Sequence, residues 1–327
     1  MKARILLALL IYLAPVALYL GRWSAAPVGL DAVSAVTPGH VAVVGALRAD
    51  DPALEAPAAA AAALTAAQVA DLVRKTAYYS GGLSKALDPG AGWIVVKPGA
   101  LAAGDALEAH ALVVQAVLRL IHEAAPQARI SVVAGLPGGE ALDARLARVL
   151  KAPELAGARV DRLDLKAEEY EEMEVPDGGE GADAYPVPIA LLECDAVIDV
   201  ACPAAGAAGA MANLAGLART ETPPGRLPAA VLVDLALLSE VDFAVLDLTF
   251  APGPEGRRLN TVLAGRDLVA IDRVAAALPQ AGAGGIDALV LASARGLGQV
   301  NLGDIKVNGI AVAGTWVEPP ADAGSGK

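Results

Sequence analysis

Lys97 is the residue of this 327-residue chain whose placement most invites chemistry. It follows the apolar run Trp93-Ile94-Val95-Val96 and precedes Pro98-Gly99. It therefore stands at the carboxyl end of an expected buried strand, the end at which open α/β sheets bind ligands. An ammonium group there suits a phosphate or a carboxylate. The competing reading is a lysine whose stem lies along apolar surface while its head reaches solvent. Asn213 and four carboxylates join it as candidate crevice groups. Asp247 interrupts the strand-like run Val245-Leu246-Asp247-Leu248-Thr249. Glu255 lies in Gly253-Pro254-Glu255-Gly256, whose glycines would let the backbone approach an anion, although Pro254 offers no donor and a plain tight turn explains the same residues. Asp267, after Gly265-Arg266, is placed to N-cap the helix that follows. Asp272 falls on or beside the buried face of that helix, where a carboxylate must be paired, hydrogen-bonded or functional. In an enzyme, Lys97 would orient an anion while Asp247 or Asp272 served as base or metal ligand.

Other chemistries find little support. His110 and His122 are twelve residues apart on one expected helix, about 120° around an axis with about 3.6 residues per turn, so they do not converge on a metal. With His40 they complete the histidines of the chain, and histidine-based catalysis is not indicated. Cys194 and Cys202 bracket a run that reads as an extended strand. Eight steps of about 3.3 Å separate their Cα atoms by roughly 26 Å, against a disulfide limit of about 7 Å. Their spacing fits neither a zinc site nor an iron–sulfur cluster, so they read as packed thiols and no iron–sulfur cofactor is expected. Residues 168–183 are rich in carboxylates and glycines but lack the spacing of a calcium loop, and read as a solvated loop. No metal site is assigned and the cofactor is left unknown. Gly-x-Ser-x-Gly, Walker and Gly-x-Gly-x-x-Gly motifs are missing from the sequence. A net charge of −12 and only 3% aromatic residues argue against a nucleic-acid partner, because phosphate binding needs clustered Lys and Arg.

The elements that would position these groups follow from periodicity. Apolar runs at residues 40–47, 93–96, 130–134, 158–165, 196–200 and 243–249 read as strands. Helices are expected from 65 to the Gly81-Gly82 stop, over 107–124, 140–150, 188–194 and 231–238, and from 267 to about 278. Alternation of strand and helix predicts an α/β fold: a mainly parallel sheet with flanking helices, as one body or as two lobes around a crevice. Lys2 and Arg4 precede an uncharged segment over residues 5–20, with Gly21-Arg22-Trp23 after it. That layout suits an N-terminal hydrophobic helix acting as an export signal or short membrane anchor, with the body outside the cytoplasm; a buried first helix is the alternative. The chain thus divides into residues 1–27 as signal or anchor, 28–316 as the α/β domain and 317–327 as a disordered tail.

In their order, several landmarks resemble the domain-of-unknown-function 362 family over roughly residues 40–312. They are Gly81-Gly82, Val95-Val96-Lys97-Pro98, Asp195-Ala196-Val197-Ile198-Asp199-Val200 with Pro203, and Asn213-Leu214-Ala215-Gly216. Val245-Leu246-Asp247, Gly253-Pro254-Glu255-Gly256 and the stretch from Leu263 to Asp272 complete the series. The family typically has Lys-Pro-Asn at the first site, a basic Pro-Lys-Leu-Lys-x-His-type segment after the central strand, and Lys-Asn before the next glycine. This chain has Lys97-Pro98-Gly99, Pro203-Ala204-Ala205-Gly206-Ala207 and Ala212-Asn213 instead. Some members carry ferredoxin-like iron–sulfur modules, for which this chain lacks the cysteines. The resemblance implies an α/β scaffold and the position of a site, and the family has no settled common reaction. The expectation is therefore a membrane-tethered or exported binding or assembly domain, without catalysis, that meets a small anionic ligand or a protein partner. The alternative is an enzyme acting on a small anionic metabolite, with or without a metal.

Overall fold

The computed structural model describes residues 41–49, 63–99, 105–134, 140–202, 209–217, 227–251, 258–278, 285–310 and 316–318. The hydrophobic segment at residues 5–20, the 253–256 turn with Glu255, and residues 319–327 of the expected tail lie outside them. Among the described residues no helix is long and apolar enough to cross a membrane.

Strand β1 (Ala42–Arg48) leads into helix α1 (Ala66–Tyr79) and the short α2 (Leu83–Ala86). Thr65 and Gln68 close a capping box at the start of α1, and Gly81 and Gly82, both at positive φ, end it. β2 (Trp93–Pro98), α3 (Asp105–Ala124), β3 (Arg129–Ala134), α4 (Glu140–Val149) and β4 (Arg159–Asp164) follow in strict alternation. Next come β5 (Tyr170–Glu174), β6 (Ala184–Pro188), α5 (Ile189–Glu193) and β7 (Ala196–Ala201). The chain continues through α6 (Gly209–Asn213), α7 (Ala229–Ser239), β8 (Val241–Phe250), β9 (Arg258–Gly265), α8 (Leu268–Ala277), α9 (Ile286–Ala294), β10 (Ile305–Gly309) and β11 (Trp316–Glu318).

Nine strands form one sheet in the order β11-β10-β1-β9-β8-β7-β2-β3-β4. Only β9 runs against its neighbours, β1 and β8; every other pairing is parallel. The sheet is continuous, so the described residues are organised around one core plane and not as two lobes. Residues 317 and 318, expected in the tail, pair with β10 as part of β11.

Both faces of the sheet are covered, as near-continuous apolar strands require. Ile94, Val96, Ile130, Val132, Ile198 and Phe243 point to the face covered by α1, α2, α3 and α4. Val95, Ala201, Ala244, Leu246, Leu263 and Val307 point to the face covered by α6, α7, α8 and α9. Helix α1 approaches so closely that a Cβ on Gly45 would lie 2.1 Å from Thr76 O.

The acidic segment is not simply a solvated loop. Its first half is β5, paired antiparallel with β6 from Tyr170↔Pro188 to Glu174↔Ala184. Asp234, on α7, is completely buried and holds the turn of this hairpin. Its carboxylate accepts from the backbone N–H groups of Glu180 (2.8 Å), Gly181 (2.7 Å) and Ala182 (3.3 Å) and from the Tyr185 hydroxyl (2.9 Å). The exposed carboxylates could not order the segment by themselves; one buried acceptor on a neighbouring helix does. Asp234→Ala leaves four donors without their acceptor and should cost about 2–4 kcal/mol. Thermal melting and limited proteolysis test it: faster cleavage within residues 176–183 is expected, and wild-type melting with wild-type cleavage would sever the hairpin from this anchor.

Candidate functional site

The strand order fixes where a site can lie. From β2 the chain builds outward through β3 and β4, whereas from β7 it builds in the opposite direction through β8 and β9. The connections also part: α3 leaves β2 across one face, and α6 and α7 leave β7 across the other. The boundary between β2 and β7 is thus a topological switch point, where diverging connections open a crevice at the carboxyl ends of the strands. Lys97 sits at that boundary, and its register partner on β7 is Asp199.

Both side chains are almost completely covered, at 2% and 0% relative exposure. Lys97 neither snorkels to solvent nor stands open to an anion. Its Nζ donates to Pro98 O (3.1 Å) and to Asn213 Oδ1 (3.0 Å). The Asn213 amide nitrogen donates in turn to Asp199 Oδ1 (2.7 Å) and, at 3.4 Å, to Lys97 O. Asn213 therefore bridges the ammonium and the carboxylate, and the network fixes which way its amide points. Asp199 Oδ2 is buried and has no hydrogen-bond partner among the described residues.

Asn213 ends the short α6, and Asp272 positions that helix from α8. The Asp272 carboxylate accepts from Ala210 N–H (2.8 Å) and Met211 N–H (3.0 Å), a cap supplied from a distant part of the chain. Burial raises the Asp272 carboxyl to about 6, against the pull of those N–H groups. Asp267 does what its position predicted: it N-caps α8 through Ala270 N–H (2.8 Å) and also accepts from Gln299 N–H (2.9 Å). It supports the element that carries Asp272 and does not itself join the Lys97 cluster.

Asp247 lies on the opposite face, with Phe243 and Val245. Its Oδ2 is 2.9 Å from His110 Nδ1, and its Oδ1 accepts from Thr249 N–H (2.8 Å) and Thr249 Oγ1 (2.6 Å). His110 Nε2 accepts from Gly99 N–H at 3.1 Å, so the proton of the ring is on Nδ1 and is donated to Asp247. Gly99 N–H is shared with Val200 O at 2.8 Å, which extends the β2–β7 ladder one residue past Pro98. The end of β2 is consequently held from both faces, through Lys97 on one and Gly99 on the other. Glycine at 99 is a steric necessity: a Cβ would lie 2.4 Å from Cys202 Sγ and 2.9 Å from Cys202 N.

Of the six candidates, the structure brings Lys97 and Asn213 into contact, ties Asp272 to them through α6, and sets Asp247 behind Gly99; Glu255 lies outside the described residues. Two residues were missed. Asp199 has the same signature as Asp247, a carboxylate inside an apolar strand, and that signal was present in Val197-Ile198-Asp199-Val200. Histidine spacing alone gives His110 no role, yet it lies on the buried face of α3 with Leu107, Val113 and Val114. A polar side chain on such a face must find a partner.

A profile described as "Domain of unknown function (DUF362)" matches residues 94–277, more than half of the chain. The chain belongs to the DUF362 family. The matched region begins inside β2 and ends with α8, so it contains every residue of the Lys97, Asn213, Asp199 and Asp272 network. No curated protein matches this DUF362 chain. Among solved structures, it is similar to the lactate racemase apoprotein from Thermoanaerobacterium thermosaccharolyticum at 10% identity and a TM-score of 0.36. That similarity covers 61% of this chain and 52% of the racemase chain, so the match spans about half of the racemase length.

Among the described residues no group of three or more His, Cys, Asp or Glu is arranged to hold a metal ion. A separate cleft of about 190 Å³ lies against α1 and α3, lined by Leu64, Val69, Leu112, Asp105, Arg258 and Asn260. Its cation is committed: Arg258 pairs with Asp105 at 2.7 Å and lies over the Phe250 ring.

The electrostatics of the switch point follow from desolvation. Burial pushes the Asp199 carboxyl up to about 7 and the Lys97 ammonium down to about 8, each shift being only partly offset by the partner's charge. Because the Asp199 value is raised on folding, the folded protein holds a proton that the unfolded chain releases, and stability falls as pH rises from about 4 to about 7. The Lys97 value is lowered, so its penalty is present below about 8 and is relieved as pH rises towards 10.5. The pair therefore costs most stability near pH 7–8, where both groups carry charge. Asp199→Asn keeps the shape and cannot ionise. Its melting temperature relative to wild type should climb steadily between pH 4 and 7 in a pH series; parallel curves would mean that Asp199 keeps an ordinary carboxylate pKa.

Proposed function

We propose that this DUF362 protein is a ligand-binding domain without turnover of its own, tethered to a membrane or exported through residues 5–20, with its body outside the cytoplasm. The observation that carries the reading is the position of Lys97 and Asp199 side by side at the switch point of the sheet. Open α/β sheets take their ligands there. The polar groups around the crevice have structural duties that favour binding over catalysis. Lys97 is committed to Asn213 and Pro98, Asp272 to α6, Asp267 to α8, and Asp247 to His110 and Thr249. A group locked into such bonds is poorly placed to move a proton to or from a substrate. Small molecules bearing polar groups are the proposed ligands, and a protein partner at the carboxyl-end loops is the other member of this reading.

One observation favours a second reading, an enzyme. The Lys97 and Asp199 values approach neutrality from opposite sides, the condition under which a buried pair can exchange a proton with a bound molecule.

A thermal-shift screen of the purified full-length protein against divalent metals, nucleotides and small carboxylates tests the proposal, with Lys97→Met beside wild type. Binding at the switch point should raise the melting temperature of wild type by several degrees and leave the variant unmoved. No shift with any compound would direct attention to a protein partner instead. A measurable turnover that disappears in Lys97→Met, with the fold intact, would replace the binding reading by the enzyme.

A further inference from the structure

An ammonium group has three donors, and Lys97 Nζ uses two of them, on Pro98 O and Asn213 Oδ1. The Asp199 carboxylate has two oxygens: Oδ1 accepts from Asn213, and the fully buried Oδ2 accepts from none of the described residues. Lys97 and Asp199 are register partners and point to the same face of adjacent strands. They nevertheless make no direct ion pair, because Asn213 stands between them. The switch point thus holds one unused donor and one unused acceptor on neighbouring side chains. A buried polar atom is stable only when it is hydrogen-bonded, the more so when it is charged, so the buried Oδ2 calls for a donor.

We propose that these two atoms form a subsite for the hydroxyl group of a small molecule, which accepts from Lys97 Nζ and donates to Asp199 Oδ2. The inference rests on the binding reading above and specifies what the site recognises. With Asp199 ionised, as it is above about pH 7, a carboxylate or phosphate oxygen could accept from Lys97 but would offer no proton to Oδ2. It would also add negative charge beside Asp199, which already feels Asp272. An ammonium could serve Oδ2 but would face the Lys97 cation. Only a group that both accepts and donates satisfies the ammonium and the ionised carboxylate together, and a hydroxyl does so without adding charge. The ligand expected from the isolated lysine, an anion drawn to a free ammonium, is accordingly replaced at this position by an alcohol. Any charge on the rest of the ligand would lie outside this subsite.

Three probes that differ at one position test the subsite: glycolate, its methyl ether methoxyacetate, which keeps the oxygen and loses the proton, and acetate, which lacks both. Calorimetric titration and melting of the full-length protein should show glycolate binding at least tenfold more tightly than either of the others. Asp199→Asn turns the open acceptor into an amide donor and should abolish that preference, with circular dichroism confirming the fold. Equal binding of all three probes would overturn the hydroxyl subsite while leaving the binding domain intact, since a carboxylate would then be the recognised group. No binding of any probe, alongside a positive result in the wider ligand screen, would leave Oδ2 to a buried water only and again overturn the subsite alone. Silence in both experiments would remove the small-molecule reading as well and leave the protein partner.

Discussion

Placing a lysine and an aspartate in the middle of an apolar sheet is the constraint on which the surrounding architecture depends. Either charge alone would be strongly penalised by burial, and mutual attraction seldom repays the whole cost. Here the penalty is reduced by a relay and not by direct contact: the Asn213 amide accepts from the ammonium and donates to the carboxylate. That solution transfers the requirement to α6, which must hold Asn213 in place. Because α6 is only five residues long, the buried N–H groups of its first turn cannot be satisfied within the helix. Asp272 satisfies two of them from α8, and α8 is started by the Asp267 cap. A line of dependence therefore runs from the core of β2 to a helix more than 170 residues later in the sequence. The buried faces of Met211 and Leu214 add apolar packing to the same anchor.

The other face shows a different way of securing the same strand end. His110 and Asp247 do not reach the Lys97 cluster; they act on the backbone of Gly99, where the β2–β7 ladder finishes. The Gly99 N–H is divided between a sheet carbonyl and an imidazole, so strand pairing and helix packing meet in one atom. Cys202 fills the space that a side chain at 99 would need. The family resemblance placed an asparagine at this position, and its replacement by glycine is coupled here to a thiol whose pKa is raised by burial. Cys202 is thus a packing group at the centre of the site, with no thiolate character to recommend it as a nucleophile.

Much of the fold was legible because apolar period and capping residues are local. Thr65, Gly81-Gly82, the long apolar face of α3 and Asp267 mark their elements in the sequence, and each occupies the expected place. Acidic composition concealed β5, which has little buried surface and depends on Asp234, some sixty residues away. The same holds for β9: its antiparallel direction is a property of its neighbours and not of its residues. At the site, Lys97 was visible as a charge ending an apolar run. Its burial was not, because whether a lysine escapes to solvent is decided by Asn213 and by the covering helix. Asp199 carried an equally plain signal, but its meaning comes from register with Lys97, and register between β2 and β7 crosses about a hundred residues of intervening chain.

The balance of charge around β2 and β7 explains why a proton can take the place of a second cation. Asp199 feels both the stabilising charge of Lys97 and the opposing charge of Asp272, while Asp247 acts on the Cys202 thiol from behind. With Asp199 and Asp272 both ionised, one lysine would face two acids in a region with little water to screen them. The family resemblance placed basic residues after the central strand and before Asn213; this chain has alanine and glycine there. Compensation must then come from hydrogen bonds or from protonation. Asp247 and Asp272 each fill both carboxylate oxygens with backbone or side-chain donors. Asp199 has one such donor and one bare oxygen, so it is the carboxyl on which a proton is most readily retained. The electrostatic consequence depends on pH: the part of the cluster left open by the fold is an acceptor once Asp199 ionises, above about pH 7, and a proton donor below it.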